Sequence, residues 1–125
     1  MTENEISYIV RGAIYEVYNE FGPGLFEKVY EKILQIRLRK RGLSVKAQVV
    51  VPLIVDGIVI DSAFKADLIV EEKVIVEIKS IDAIGKVQHM QLLTYLRLSK
   101  LKLGILVNFN TDEISKSIFR KVNNL

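Results

Sequence analysis

Three ionisable side chains near the middle of the chain could together carry chemistry. Glu77 and Lys79 lie on one face of a predicted strand, because side chains alternate along a strand. Asp67 falls opposite Glu77 if Val70 pairs with Val74 across a three-residue loop, and opposed side chains have Cβ atoms roughly 5 Å apart. Two carboxylates held that close repel each other and need a cation between them. The spacing therefore predicts a metal site with a lysine beside it.

The same residues have a simpler interpretation. Glu-x-Lys is a common pattern, and taken alone it is typical of an ion pair on a solvent-facing strand. Asp67 favours the metal site, because aspartate is depleted in strand interiors. The prediction depends on register, since a slip of one residue would move Asp67 to the other face of the sheet.

Composition restricts which metal and which nucleophile are available. The chain has no cysteine and one histidine, His89, which excludes thiolate metal sites, cysteine nucleophiles and multi-histidine sites within one chain. Any metal must then be held mainly by carboxylates, as hard cations such as Mg²⁺, Mn²⁺ or Ca²⁺ are. We expect His89 to be a surface or boundary residue. No glycine-rich phosphate loop is present, because residues 22–24 lack the Lys-Ser/Thr that follows in a P-loop.

Two helical segments carry further polar candidates. Glu27 lies in the first turn of a predicted helix with Tyr30 one turn on; alternatively, Glu27 only complements the helix N-terminus and Tyr30 packs. Gln91 and Tyr95 share a helical face at positions i and i+4 and could orient a phosphate or a catalytic group. The alternative is a polar helix edge with a half-buried tyrosine.

Basic residues give the chain a formal net charge of +3, which permits a nucleic-acid partner without requiring one. A cluster near the end of the second predicted helix could contact phosphates, or could equally be a solvated helix end complementing the helix dipole. Its members are Arg37, Arg39, Lys40 and Arg41, with Lys46 nearby; Lys100 and Lys102 form a second group.

These candidates need a scaffold, and 125 residues suffice for one domain, residues 1–125. Hydrophobic periodicity predicts an α/β chain with a mixed sheet flanked by helices. Helices are predicted over residues 6–21, 25–41 and 86–100. Strands are predicted over 45–55, 58–61, 64–70, 74–79 and 103–109, with 114–122 as an edge strand. The N-terminus lacks the features of a signal peptide, and no segment is long enough to cross a bilayer, so we expect no membrane association and a cytoplasmic location.

The combination resembles a known group of enzymes. Asp67 followed by Glu77-Ile78-Lys79 on the next strand resembles the PD-(D/E)XK nuclease superfamily, with Ala66 where that motif has proline. Gln91-x-x-x-Tyr95 is similar to the QxxxY motif of RecB-like members. Gly24-x-x-Glu27-x-x-Tyr30 matches the signature of the GxxExxY family within that superfamily.

The resemblance implies a restriction-endonuclease-like core with a mixed sheet of four or five strands. It implies Mg²⁺ or Mn²⁺ held by Glu27, Asp67, Glu77 and the carbonyl of Ile78, with Lys79 assisting the attacking water. Gln91, Tyr95 and Tyr30 would support the site or orient a phosphate.

The implied activity is phosphodiester hydrolysis of nucleic acid, with DNA the favoured substrate. The alternative is a non-catalytic module that binds nucleic acid or a partner and retains the nuclease fold. A homodimer or a separate partner subunit would supply the target recognition for which so short a chain has little room.

Overall fold

The computed structural model describes the backbone of residues 1–125 and the side chains of residues 1–61 and 64–125. Its helices are α1 (Glu3–Phe21), α2 (Glu27–Lys40) and α3 (Lys86–Ser99), and a 3₁₀ turn covers Ile114–Lys116. Its strands are β1 (Val45–Val55), β2 (Ile58–Val70), β3 (Val74–Lys79), β4 (Leu103–Asn108) and β5 (Ile118–Val122).

The strands form one five-stranded sheet in the order β1-β2-β3-β4-β5. β3 and β4 are parallel, and the other neighbouring pairs are antiparallel. The α3 crossover joins the parallel pair, as a connection between parallel strands requires. This mixed sheet with flanking helices confirms the predicted restriction-endonuclease-like fold class.

Two hydrophobic cores lie on opposite faces of the sheet. The larger one packs α1 and α2 against the sheet, and Val74, Val76 and Ile78 of β3 point into it. The smaller one packs α3 against the other face and includes Ile75. Both faces of the two central strands are therefore covered, which explains why β3 and β4 are apolar along almost their whole length.

Local signals explain where the helices begin and end. Thr2 caps α1 through a capping box with Glu5, and Gly22 ends it. Gly24 has φ +112°, a conformation that favours glycine, so the turn before α2 is fixed by sequence. α2 begins at Glu27 instead of the predicted residue 25. Phe26, the residue before the helix, still has an extended backbone. Lys100 adopts the left-handed conformation that ends α3.

Two predicted segments differ in detail from the observed elements. Residues 58–61 and 64–70 belong to one continuous strand, β2, because β1 pairs along both parts with a register shift between Val51 and Leu53. The final edge strand is confirmed, but its first residues form the 3₁₀ turn instead of extended chain. Among the residues described, no helix combines the length and apolar character needed to cross a membrane.

Candidate active site

Asp67 and Glu77 meet where β2 and β3 separate. The strands pair at Val70–Val74, Ile69–Ile75 and Leu68–Val76, the register that the three-residue loop predicts. One further step of that register would set Asp67 opposite Glu77. Ladder pairing stops there, and the Ile78 N–H instead donates to Asp67 Oδ2 at 2.9 Å. One carboxylate oxygen of Asp67 is thus fixed by the backbone of the strand that carries Glu77.

Asp67 also lies where β2 changes the face that it buries. Leu68 belongs to the core under α1 and α2, whereas Ala66, two residues away, belongs to the core under α3. Side chains two apart normally share a face, so the strand must twist locally at Asp67. β1 has its own irregularity at the facing position, where Gln48 has φ +52°. The predicted carboxylate pair therefore rests on a paired distortion of two strands.

Glu77 is a buried acid. It is 6% exposed, and its Oε1 has no hydrogen-bond partner among the side chains and backbone described. Burial raises the pKa of Glu77 to about 9, and the neighbouring Asp67 carboxylate adds to the effect. This burial is inconsistent with the simpler interpretation of Glu77 as half of a solvent-facing ion pair. A buried carboxyl beside a second carboxylate is instead an arrangement that a cation would stabilise.

Lys79 and Ile78 complete the end of β3. Lys79 is partly exposed, and its positive charge opposes the rise in the pKa of Glu77, so the ammonium lies within electrostatic range of that carboxyl. The Lys79 carbonyl accepts from the Phe109 N–H at 2.9 Å, which ties the end of β3 to the end of β4. The predicted role of the Ile78 carbonyl as a ligand stays a prediction.

Glu27 reaches the same end of β3 from α2. Its Oε2 accepts from the Ser80 N–H at 3.2 Å, and the Ser80 hydroxyl donates to the Leu25 carbonyl at 3.0 Å. The start of α2 is thereby fastened to the residues that follow Lys79. Glu27 is close to the site but is held by the backbone of the loop after β3.

Tyr30 explains how the turn before α2 is held. Its ring is fully buried and stacks on Phe109, with ring centroids 4.3 Å apart. Its hydroxyl donates to the Gly22 carbonyl and accepts from the Leu25 N–H at 3.2 Å. Tyr30 therefore packs, as the simpler interpretation holds, and also supports the turn that places Glu27.

Two residues near the site were missed by sequence reasoning. Glu31 lies one helical turn after Glu27, and burial raises its pKa, with the Asp67 charge adding to the effect. The Gln48 side chain donates to the Glu31 carboxylate and makes a longer contact of 3.4 Å with Asp67 Oδ1. The i, i+4 spacing of two glutamates was a signal for Glu31. Nothing local marked Gln48, because its role depends on the distortion of β1.

α3 contributes Tyr95 to the site. The Tyr95 side chain is buried and makes an edge contact with Phe64 at 5.3 Å between ring centroids. Burial raises the pKa of Tyr95, and the charges of Glu77 and Asp67 add to this, which places the hydroxyl within range of both carboxylates. Gln91 is on the exposed surface one turn earlier.

His89 lies away from this group. Its ring contacts Phe119 edge-on at 4.8 Å, and burial lowers its pKa, with the nearby Lys121 charge adding to the effect. It is a partly buried histidine at the α3–β5 boundary, which matches the expectation of a boundary residue.

The basic cluster on α2 is engaged with its own chain. Arg37 forms ion pairs with Glu16 and Glu20 of α1, and Arg41 pairs with Glu16. Arg39 donates to the Val45 carbonyl at 2.8 Å. Lys46 pairs with Glu72 in the same manner, and Lys40 is exposed on the helix surface. These contacts support the solvated-helix-end interpretation, and the phosphate-binding role stays a prediction.

The described side chains contain no group of three or more His, Cys, Asp or Glu arranged to hold a metal ion. Asp67 and Glu77 lie together, and Glu27 Oε2 accepts from the Ser80 N–H. The role of Glu27 as a third metal ligand stays a prediction. The pair itself suits a hard divalent cation, because its donors are all oxygen and Glu77 Oε1 is buried and lacks a partner.

Comparison with known proteins identifies one family. A model of the PD-(D/E)XK nuclease superfamily matches residues 4–121, which span α1 to β5 and include every candidate described above. No curated protein and no solved structure gives a significant match.

Proposed function

The chain belongs to the PD-(D/E)XK nuclease superfamily, and from this membership we propose that it is a metal-dependent nuclease that hydrolyses phosphodiester bonds of DNA. Residues 1–125 form a single domain of this kind in the proposal. The Gly24, Glu27 and Tyr30 pattern supports assignment to the GxxExxY family of that superfamily as part of this proposal.

One observation carries the proposal. Glu77 is buried beside Asp67 with an unpartnered oxygen in the described part of the chain. A buried acid without a full set of partners costs stability, so its presence needs an explanation other than folding. Perturbed acids clustered with a lysine at the end of a strand are typical of functional sites. A cation held between the carboxylates would remove their repulsion.

The residues that would hold Mg²⁺ or Mn²⁺ are Asp67, Glu77, Glu27 and the carbonyl of Ile78. Such an ion lowers the pKa of a water ligand and stabilises negative charge on a phosphate. The hydrogen bond from the Ile78 N–H orients Asp67 before anything binds, so less reorganisation is needed on loading.

Hydrolysis also needs a positive charge near the phosphate, which Lys79 would supply. The water oxygen forms a bond to phosphorus, the bond from phosphorus to one ester oxygen breaks, and the leaving oxygen takes up a proton. The attacking water loses a proton to solvent. The Lys79 ammonium would attract the phosphate and neutralise charge that develops on it. The effect of its charge on the pKa of Glu77 supports this role. Tyr95 and Gln91 support the carboxylates or the phosphate from α3.

The test is cleavage by the purified chain. Supercoiled plasmid, linear duplex, single-stranded DNA and RNA are incubated with Mg²⁺, Mn²⁺ or EDTA. We expect divalent-dependent cleavage, reduced by roughly 10²- to 10⁴-fold in Lys79→Ala and at least as much in Glu77→Ala. Glu113→Ala and Lys116→Ala provide matched controls, because these residues form an exposed pair in the 3₁₀ region.

Robust cleavage by Glu77→Ala would overturn the proposal. Salt-sensitive binding to nucleic acid without turnover, in every metal condition, would instead identify the chain as a non-catalytic binding module. Circular dichroism of each variant shows whether a loss of cleavage reflects lost chemistry or lost fold.

A further inference from the structure

The β1–β2 hairpin extends past the sheet that supports it. β3 pairs with β2 only from Leu68 to Val70, whereas β1 and β2 continue to pair as far as Val55 and Ile58. The distal part, residues 53–60, is joined by the turn at Asp56 and is here called the ribbon. A two-stranded hairpin on its own is marginally stable in water, so an extension of this length normally gains support from something else.

The ribbon is apolar on its surface. One face carries Leu53, Val55, Ile58 and Ile60, because the register pairs Leu53 with Ile60 and Val55 with Ile58. Ile58 is 69% exposed, the highest exposure of any of these four side chains, and Val55 and Ile60 are exposed as well. Closer to the base of the ribbon, Val51 of β1 belongs to the core under α3. An exposed aliphatic strand surface of this kind is a site for association.

Charge argues against nucleic acid as the occupant of the ribbon. Between residues 49 and 64 the sequence contains two aspartates, Asp56 and Asp61, and no lysine or arginine. A phosphate backbone would therefore meet no counter-charge there, and its affinity comes mainly from such charges. A protein surface that is itself apolar is the better match.

We propose that the ribbon packs against the ribbon of a second copy of this chain. A two-fold dimer requires one patch to be complementary to itself, and a face made of four aliphatic residues without charge meets that condition because nothing on it repels its copy. The two strands also present similar residues on either side of the turn, Ile54-Val55 before it and Ile58-Val59 after it.

The area suits a weak dimer contact. The four side chains of this face together expose roughly 350 Å² of apolar surface, an ordinary size for a single patch on a monomer. Two such faces would bury about 700 Å² in total, below the usual size of a stable interface and typical of a weak one. An apolar groove at the base of the ribbon, bordered by Pro52, Leu98 and Leu101, offers additional surface next to it. We therefore expect a dimer whose population depends on concentration.

This inference does not depend on nuclease activity. The ribbon is continuous with β2, which carries Asp67 nearer its other end, so a ribbon dimer would hold two carboxylate pairs in a fixed relation. Failure of the dimer would leave the proposed chemistry intact, and failure of the chemistry would leave the dimer intact.

The first test is the mass of the full chain in solution. Light scattering after size-exclusion chromatography is measured over a range of concentrations for wild type and for Ile58→Lys. We expect wild type to approach twice 14.3 kDa and Ile58→Lys to stay at 14.3 kDa at equal concentration. Ile36→Lys is the matched control, because Ile36 is 51% exposed on α2 and far from the ribbon in sequence. This control should dimerise as wild type does.

A cross-linking test locates the contact even if the lysine variant folds poorly. The chain has no cysteine, so Ile58→Cys carries a single thiol and Ile36→Cys is its control. We expect a short bismaleimide to join Ile58→Cys molecules at concentrations where wild type dimerises and to leave Ile36→Cys molecules unjoined at the same concentrations. The inference is overturned if wild type is monomeric at all concentrations. The inference is also overturned if Ile58→Lys still dimerises. It is overturned as well if the chain is monomeric and Ile58→Lys loses DNA binding.

Discussion

Replacing Glu77 with glutamine should make the metal-free protein more stable at neutral pH, by an amount that depends on pH. The folded chain holds Glu77 with a pKa of about 9, against an ordinary value of 4.5. Between these values the folded state keeps a proton that the unfolded state releases. Glu77 therefore does not lower the free energy of unfolding in acid. It lowers this free energy progressively as pH rises from about 4.5 towards 9.

The loss of free energy of unfolding at pH 7 depends on the unfolded pKa of 4.5 and not on the exact folded pKa. Glu77 stays protonated in the folded chain at pH 7 for any folded pKa well above 7, so the loss builds up only between pH 4.5 and pH 7. At about 1.4 kcal/mol per pH unit, that interval corresponds to about 3 kcal/mol. Glutamine cannot ionise and has the shape of the protonated acid, so Glu77→Gln should recover most of this free energy at pH 7 and little of it at pH 4.5.

The assay is urea unfolding in EDTA at a series of pH values from about 4.5 to 9, for wild type and Glu77→Gln. The difference between the two free energies of unfolding isolates this residue from other titrating groups, including His89. Glu113→Gln is the matched control, since Glu113 is exposed, and it should show no comparable pH-dependent difference. A wild-type minus Glu77→Gln difference that stays constant across this range would refute the claim that Glu77 is a buried acid beside Asp67.

Three further substitutions test how the site is supported. Gly104→Ala should lower the free energy of unfolding by about 1–3 kcal/mol in chemical denaturation, because an added Cβ would lie 2.8 Å from the Leu92 side chain where α3 packs on β4. Tyr30→Phe removes the hydroxyl that donates to the Gly22 carbonyl, so the free energy of unfolding in urea should fall by about 1–3 kcal/mol. An unchanged unfolding midpoint would contradict the role of Tyr30 in supporting the turn before α2. Gln48→Ala should weaken Mn²⁺ binding by roughly 10-fold or more in calorimetric titration, since its amide contacts the acids of α2 and β2. Equal Mn²⁺ affinity in wild type and Gln48→Ala would show that these contacts do not matter to the site.

The carboxylate pair could be predicted from the sequence because its determinants are local. Strand alternation and a three-residue loop are enough to pair Val70 with Val74, and that pairing brings Asp67 opposite Glu77. The local twist at Asp67 could not be predicted, because it depends on β1 having its own distortion at Gln48.

The contacts of the basic cluster illustrate a different limit. Arg37 and Arg41 stand out in the sequence as charges crowded at the end of one helix. Their partners, Glu16 and Glu20, lie on α1, some twenty residues earlier, and only the packing of α1 on α2 brings them together. Helix pairing of this kind depends on the whole core, so a charge run cannot show whether its charges are already neutralised.

The position of Glu27 illustrates a third limit. Its sequence pattern is enough to place it at the start of a helix and next to the site, but not to show that the Ser80 N–H occupies its carboxylate. That contact is made across 53 residues of chain and depends on how the loop after β3 turns. The role of Glu27 as a third metal ligand therefore stays a prediction.

The most direct measurement follows Mn²⁺ occupancy and DNA cleavage in the same samples. Free Mn²⁺ is read by electron paramagnetic resonance as the ion is titrated into wild type and Glu77→Gln, and the cleavage rate is recorded at each concentration. We predict that occupancy and cleavage rise over the same concentration range in wild type and that Glu77→Gln loses both. Cleavage that persists in Glu77→Gln, or that proceeds in EDTA, would contradict the assignment of Asp67 and Glu77 as the metal-holding pair of a nuclease.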